Sequence, residues 1–219
     1  MDITENVHMI GGNRVSFTDS IVAHDRQDIM DLMLYADMYA THAVAQDDHP
    51  ESWHEFYHAC LVRHGCTLIS FLASSTASAY TVAQVEAFKV YVVSRAQEGR
   101  FTELVNQSLA ALKPHEKARR HLQSEAMPQR VPDKAVLCKV SPCYGDAHNH
   151  PIVSFCGLVM RYETSVEKGW LNDVYTRFVT LTPHGGCYRF DRALYATHRA
   201  LVLANTETLS DGFFGGAQA

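Results

Sequence analysis

No apolar run in this chain approaches the roughly 18 residues that a membrane-crossing helix needs. The blandest stretch, Leu68 to Ala79, is interrupted by serine and threonine. There is no Cys-x-x-Cys. The six cysteines, at 60, 66, 138, 143, 156 and 187, are scattered, which argues against a compact disulfide framework and predicts buried thiols. There is no Gly-x-Ser-x-Gly elbow for serine catalysis. Gly11-Gly12 is not followed by Lys-Ser or Lys-Thr, so a phosphate loop has no support. The opening residues, Met1-Asp2-Ile3-Thr4-Glu5, are acidic and lack the apolar core of a secretory leader. A cytoplasmic location is therefore expected, with leaderless export compatible with the same sequence. Positive charge is also short: the net charge of −5 gives no general attraction for nucleic acid, which is not an expected partner.

What is present fits an ordinary globular chain. It has 219 residues, 47% hydrophobic and 20% charged, enough to bury a substantial core. The most informative stretch is Ser52 to Cys66, SWHEFYHACLVRHGC. Asp48 and Pro50 read as a helix start and Gly65 as its end. Trp53, Phe56, Tyr57, Cys60 and Leu61 fall at i, i+3, i+4, i+7 and i+8, the stripe of a helix buried on one side. On that reading Trp53, Phe56, Tyr57 and Leu61 are core.

The same stretch contains His54-Glu55-x-x-His58. Two histidines four apart project from one helical face and can share a zinc ion, and Glu55 can serve as general base on metal-bound water. His64, six residues past His58, stands where the longer HExxHxxGxxH pattern has its third ligand. Position 61 is Leu where that pattern needs the turning Gly. The competing reading is that His54, Glu55 and His58 form a solvated face.

Elsewhere, 7–10 and 14–17 alternate about a Gly-Gly-Asn turn and predict a β-hairpin. Asp25 to Gln46 has helical spacing, with acidic positions 28, 31 and 37 on its solvated side. With the helix after it, this makes a helical hairpin. Thr67 to Leu72 is a candidate strand and Ser74 to Tyr80 a loop. Thr81-Val82-Ala83-Gln84 opens a capping-box helix running to Gly99. Another helix follows and is stopped by Pro114, completing a second hairpin. The segment 115–127, with Lys113, Lys117, Arg119 and Arg120, reads as a basic solvated helix.

From Lys134 the pattern is β. Strands are expected at 135–140, at 152–162 (apolar on both faces and so central), at 174–181 and at 188–190, with turns at Lys168-Gly169 and His184-Gly185-Gly186. Asp191 caps a last helix. The glycine-rich end, 210–219, is expected to be a loose tail. Cys138, Cys143, His148, His150 and Cys156 gather metal-binding types in a spacing that matches no zinc module. Cys187 after two glycines is a candidate thiol nucleophile.

These readings converge on an α+β fold in one domain, 1–209: a β-hairpin over 1–18, a helical part over 25–127, and a β part over 134–205. Two helical hairpins pack on a mainly antiparallel C-terminal sheet, with the N-terminal β-hairpin and a C-terminal helix. No motif assigns the chain to a named family. The function expected first is non-enzymatic binding of a protein partner, with no cofactor. The alternatives are a zinc-dependent hydrolase built on His54, Glu55, His58 and His64, and a leaderless membrane-active protein of toxin type that meets membrane lipid.

Overall fold

The computed structural model describes residues 7–46, 49–91, 98–112, 135–167 and 174–215. The fold is α+β. β1 (Val7–Ile10), β2 (Asn13–Phe17), β3 (Cys66–Phe71), β4 (Ala77–Ala79), β5 (Val136–Gly145), β6 (Pro151–Glu167) and β7 (Val174–Phe190) form one sheet. Its order is β1-β2-β5-β6-β7-β3, with β4 also pairing β7. Every pairing is antiparallel except β2 with β5. Among the described residues the helices are α1 (Ala23–Ala43), α2 (Pro50–Arg63), α3 (Val82–Ala87), α4 (Glu98–Leu112) and α5 (Arg192–Gly215).

Strand alternation gives the sheet two apolar faces. On one, Val15, Cys143, Val153, Phe155, Tyr188 and Phe190 meet Leu32, Met33, Trp53, Tyr57, Leu61 and Tyr195 of α1, α2 and α5. On the other, Val140, Ile152, Cys156 and Cys187 meet Phe101, Leu104 and Val105 of α4. β6 lies between β5 and β7 and is buried on both faces from Pro151 to Met160, which its unbroken apolar run requires.

The caps follow the local chemistry. Thr81 and Gln84 close the reciprocal box: Gln84 N donates to Thr81 Oγ1 at 3.2 Å and Thr81 N to Gln84 Oε1 at 3.1 Å. Asp191 Oδ1 accepts from the amides of Ala193 and Leu194 at 2.9 and 3.0 Å, starting α5. α2 has Pro50 in its first turn but no side-chain cap; Asp48, expected to provide one, lies outside the described residues.

Several expectations are corrected. The sheet is not confined to the C-terminal part, because β3 and β4 join it through β7. The helix beginning at Thr81 is short and ends at Ala87. Beyond it the chain is non-helical to Tyr91. There Asn106 of α4 binds both the amide and the carbonyl of Val90, whose side chain lies in the core. Gly99 lies inside α4 rather than ending a helix, and a second helical hairpin is not formed by the described residues. The basic segment 113–127 lies outside them.

His184-Gly185-Gly186 is not a turn. It lies within β7, which runs unbroken from 174 to 190. The glycines are there because strands come close: a Cβ on Gly185 (φ 142°) would stand 2.0 Å from Phe155 O, and one on Gly186 would stand 2.7 Å from Ser70 O. The pairing of β3 with β7 shifts register between Leu68 and Ser70, next to these glycines. Finally, α5 continues through 210–215, where a loose tail was expected.

Candidate functional site

α2 lies across β6 and β7, and a polar seam runs between them. Glu51, His54 and His58 fall at i, i+3 and i+7 on one helical face. Opposite them stand Arg161 of β6 and His184 and Tyr188 of β7. His184 and Tyr188 are four apart on a strand and so share a face.

Three contacts form the seam. Arg161 Nη2 donates to both Glu51 carboxylate oxygens at 2.8 Å. His54 and His184 meet with ring centres 5.6 Å apart. His58 Nδ1 and Tyr188 OH lie at 3.0 Å. His54 also lies almost flat on Phe155, at 5.6 Å and 21°. The Nε2 atoms of His54 and His184 are both sealed from solvent with no hydrogen-bond partner.

The electrostatics follow from burial. The His54 pKa is pushed down to about 3, chiefly by desolvation of its charged form and then by repulsion from His184 and His58. His58 is also lowered by burial. His184 is lowered by burial, with Glu51 opposing that and Arg161 adding to it. All three imidazoles are therefore neutral at pH 7, each with one ring nitrogen that donates and one that accepts.

The expected catalytic set is not brought together. Glu55 is exposed. His64 is carried away from His54 and His58: its Nδ1 is 2.9 Å from Cys60 O, and its ring lies against Tyr35 and His198. Among the described residues no group of three His, Cys, Asp or Glu has the arrangement to hold a metal ion. Trp53, Tyr57 and Leu61 are buried to 1% exposure or less, but Phe56 is 38% exposed and packs on Tyr39. Expecting Phe56 in the core is therefore corrected: α2 is rotated about its axis so that His54 and His58 face β7, which turns Phe56 outward.

A second buried polar cluster, which sequence reasoning missed, joins α1 to β5. Lys139 of β5 is buried and donates to Gly11 O at 2.6 Å, to Gln46 Oε1 at 3.2 Å and to the Asp37 carboxylate. Its Nζ lies 4.5 Å from the centre of the Trp53 ring. Burial dominates both partners, raising the Asp37 pKa and lowering that of Lys139, while their mutual attraction opposes each shift. Asp28 and Asp37, expected on a solvated side of α1, are both buried, as is Asp25. Arg192 grips Asp25 through Nε and Nη2 at 2.7–3.0 Å, and Arg199 Nε donates to Asp28 Oδ1 at 2.9 Å. These pairs tie α1 to α5. The visible signal was Lys139 itself, a lone cation inside an otherwise apolar strand.

The other candidate residues separate. Asp146 Oδ1 accepts the amides of His148 and His150, and its Oδ2 lies 3.2 Å from His150 Nδ1, which shapes an exposed loop. All six cysteines are unbridged. Cys187 is fully buried, with its Sγ 3.7 Å from Tyr144 OH.

No family model matches the chain, and no curated protein matches it. A solved structure titled "Structure of the Evf virulence factor" aligns with 97% of this chain and 85% of its own, at 12% identity and a TM-score of 0.33. A likeness of that size establishes neither fold nor function. Among the described residues no helix is long and apolar enough to cross a membrane.

Proposed function

We propose that this chain is a non-enzymatic binding protein whose partner is another protein. The observation that carries the reading is the use made of the HExxH side chains. His54 and His58 face β7 within the seam, and Glu55, the residue that would activate water, points away from them into solvent.

The surface offered to the partner is the outer face of α5. Ala193, Thr197, Ala200 and Ala204 fall at i, i+4, i+7 and i+11 and are all exposed. Leu194 and Leu201 line one edge of the strip and Leu203 the other, 41%, 50% and 42% exposed. The two arginines of that stretch are turned away from this face, toward Asp25 and Asp28. An uncharged strip with a small-residue centre and leucine edges suits close approach by an apolar helix.

Site-specific photo-crosslinking from Thr197 tests this. A crosslinked protein lost on Leu201→Glu, with the thermal melt unchanged, supports the reading. Turnover of any substrate that Glu55→Gln abolishes would overturn it.

A further inference from the structure

We propose that the seam is an acid-operated latch: protonation of His54 and His184 releases α2 from β6 and β7 while the sheet and its other helices stay folded. The latch does not depend on the partner-binding reading.

Geometry carries it. The two ring centres are 5.6 Å apart across the interface, and the Nε2 atom of each ring is sealed from solvent without a hydrogen-bond partner. A neutral imidazole can leave one nitrogen bare at the cost of one unmade hydrogen bond. A protonated imidazole carries a hydrogen on both nitrogens. Its charged Nε2–H would then be buried with no acceptor, which costs far more. Neither ring can take up a proton and stay where it is. Burial holds the pKa of both below the usual value, so proton uptake is tied to opening.

The surrounding charges give no relief. On α2, Glu51 is held by Arg161 of β6 through both oxygens; burial would raise its pKa, but Arg161 outweighs that and the carboxyl stays ionised. Glu55 is exposed. His58 is engaged by Tyr188 of β7, and Glu163 of β6 by Thr180. On the far side of α2, Asp37 of α1 and Lys139 of β5 pair with each other. With neutral rings the seam sets Arg161 against Glu51. Protonating both rings sets three positive charges against that one carboxylate. Water must enter to disperse them, and it enters only as α2 leaves the strands. Release stays local because, apolar packing aside, the side-chain bonds of α2 among the described residues are those of the seam and Trp53 Nε1 donating to Thr41 Oγ1 at 3.0 Å. The ion pairs that tie α1 to β5 and α5 do not include α2. Opening uncovers Trp53, Tyr57 and Phe155, which are packed ring on ring with centres 5.1 and 4.5 Å apart.

The test is amide hydrogen exchange of the full chain at pH 7 and pH 5, read by mass spectrometry and corrected for the intrinsic pH dependence of exchange. Peptides from 50–63 should lose protection about tenfold or more at pH 5, while those from 98–112 and 136–145 keep theirs. In the His54→Gln/His184→Gln variant the pH effect on 50–63 should vanish. Glu51→Gln, which removes the negative charge of the seam, should move the loss to higher pH.

Unchanged protection of 50–63 overturns the latch, since the seam then stays closed in acid. An equal loss in 98–112 and 136–145 overturns it too, since acid then unfolds the chain as a whole. So does a pH effect that survives in the double variant, or a Glu51→Gln shift to lower pH. Should the double variant fail to fold, the imidazole ¹⁵N signals of the unaltered protein decide. On acidification those of His54 and His184 must change together with the amide signals of 50–63, and amide changes without them refute the latch.

Discussion

Acid should destabilise this protein through His54, and the size of the effect follows from its burial. The imidazole has a pKa of 6.5 when solvated and about 3 in the fold, where desolvation, then His184, then His58 disfavour its charge. Below pH 6.5 the unfolded chain binds a proton that the folded chain does not. Stability from this group is thus complete above about pH 7, falls as pH drops below 6.5, and stops falling near pH 3. Between pH 7 and pH 5 the linked loss is about 2 kcal/mol. His184 and His58 shift in the same direction and add to it. Asp37, with a raised pKa, acts in the opposite sense. Comparison with His54→Gln isolates the His54 share, because that variant does not titrate. The assay is urea denaturation of both proteins at pH 7, 6 and 5. The unaltered chain should lose about 2 kcal/mol more than the variant over that range, at equal m-values. Parallel pH profiles would refute the reasoning, since His54 would then be solvated in the fold and the seam would not be closed as described.

Lys139→Met should cost about 3–5 kcal/mol in chemical denaturation because it strands Asp37 in the core, and most of that should return in the Asp37→Leu/Lys139→Met double variant, as a double-mutant cycle will show. Trp53→Ala should cost about 3–5 kcal/mol in the same assay, since the ring is fully buried between Tyr57 and Lys139. Glu55→Gln should leave the stability within about 0.5 kcal/mol, as an exposed position without a structural partner does. Gly185→Ala should abolish soluble expression or lower the melting temperature sharply, because its Cβ would meet the Phe155 carbonyl at 2.0 Å.

The parts of the fold legible in sequence were those set by local chemistry. The hairpin at Gly11-Gly12, the Thr81–Gln84 box, the Asp191 cap and the apolar run of β6 each depend on residues close in the chain, and each appears in the structure. The two glycines of β7 misled because a glycine demanded by a neighbouring strand looks the same as one demanded by a turn. Only the positions of Phe155 and Ser70 in space distinguish the two. Phe56 misled for a related reason. Helical periodicity defines a face about 100° wide, but not how far the helix turns about its axis when a neighbour offers polar partners. His184 and Tyr188 lie 130 residues from His54 and His58 in the chain, beyond any local pattern.

The burial of Asp25, Asp28 and Asp37 shows the deeper limit of reading charge as exposure. A helix packed on one side keeps a solvated stripe where acids belong. α1 instead packs against the sheet, α2 and α5, and its buried positions run Asp25, Asp28, Ile29, Leu32, Met33, Tyr35, Ala36, Asp37 and Ala40, more than any single face. Carboxylates buried in this way are tolerable only where a cation reaches each one. That condition selects the positions of Lys139 on β5 and of Arg192 and Arg199 on α5. The ion pairs are therefore a consequence of covering α1 on several sides, and they fix how it is covered. Lys139 sets α1 against β5, while Arg192 and Arg199 set it against α5. If that is their role, exchanging Asp28 and Arg199 for one another should keep more stability than either single replacement, because the contact survives reversal of its sign.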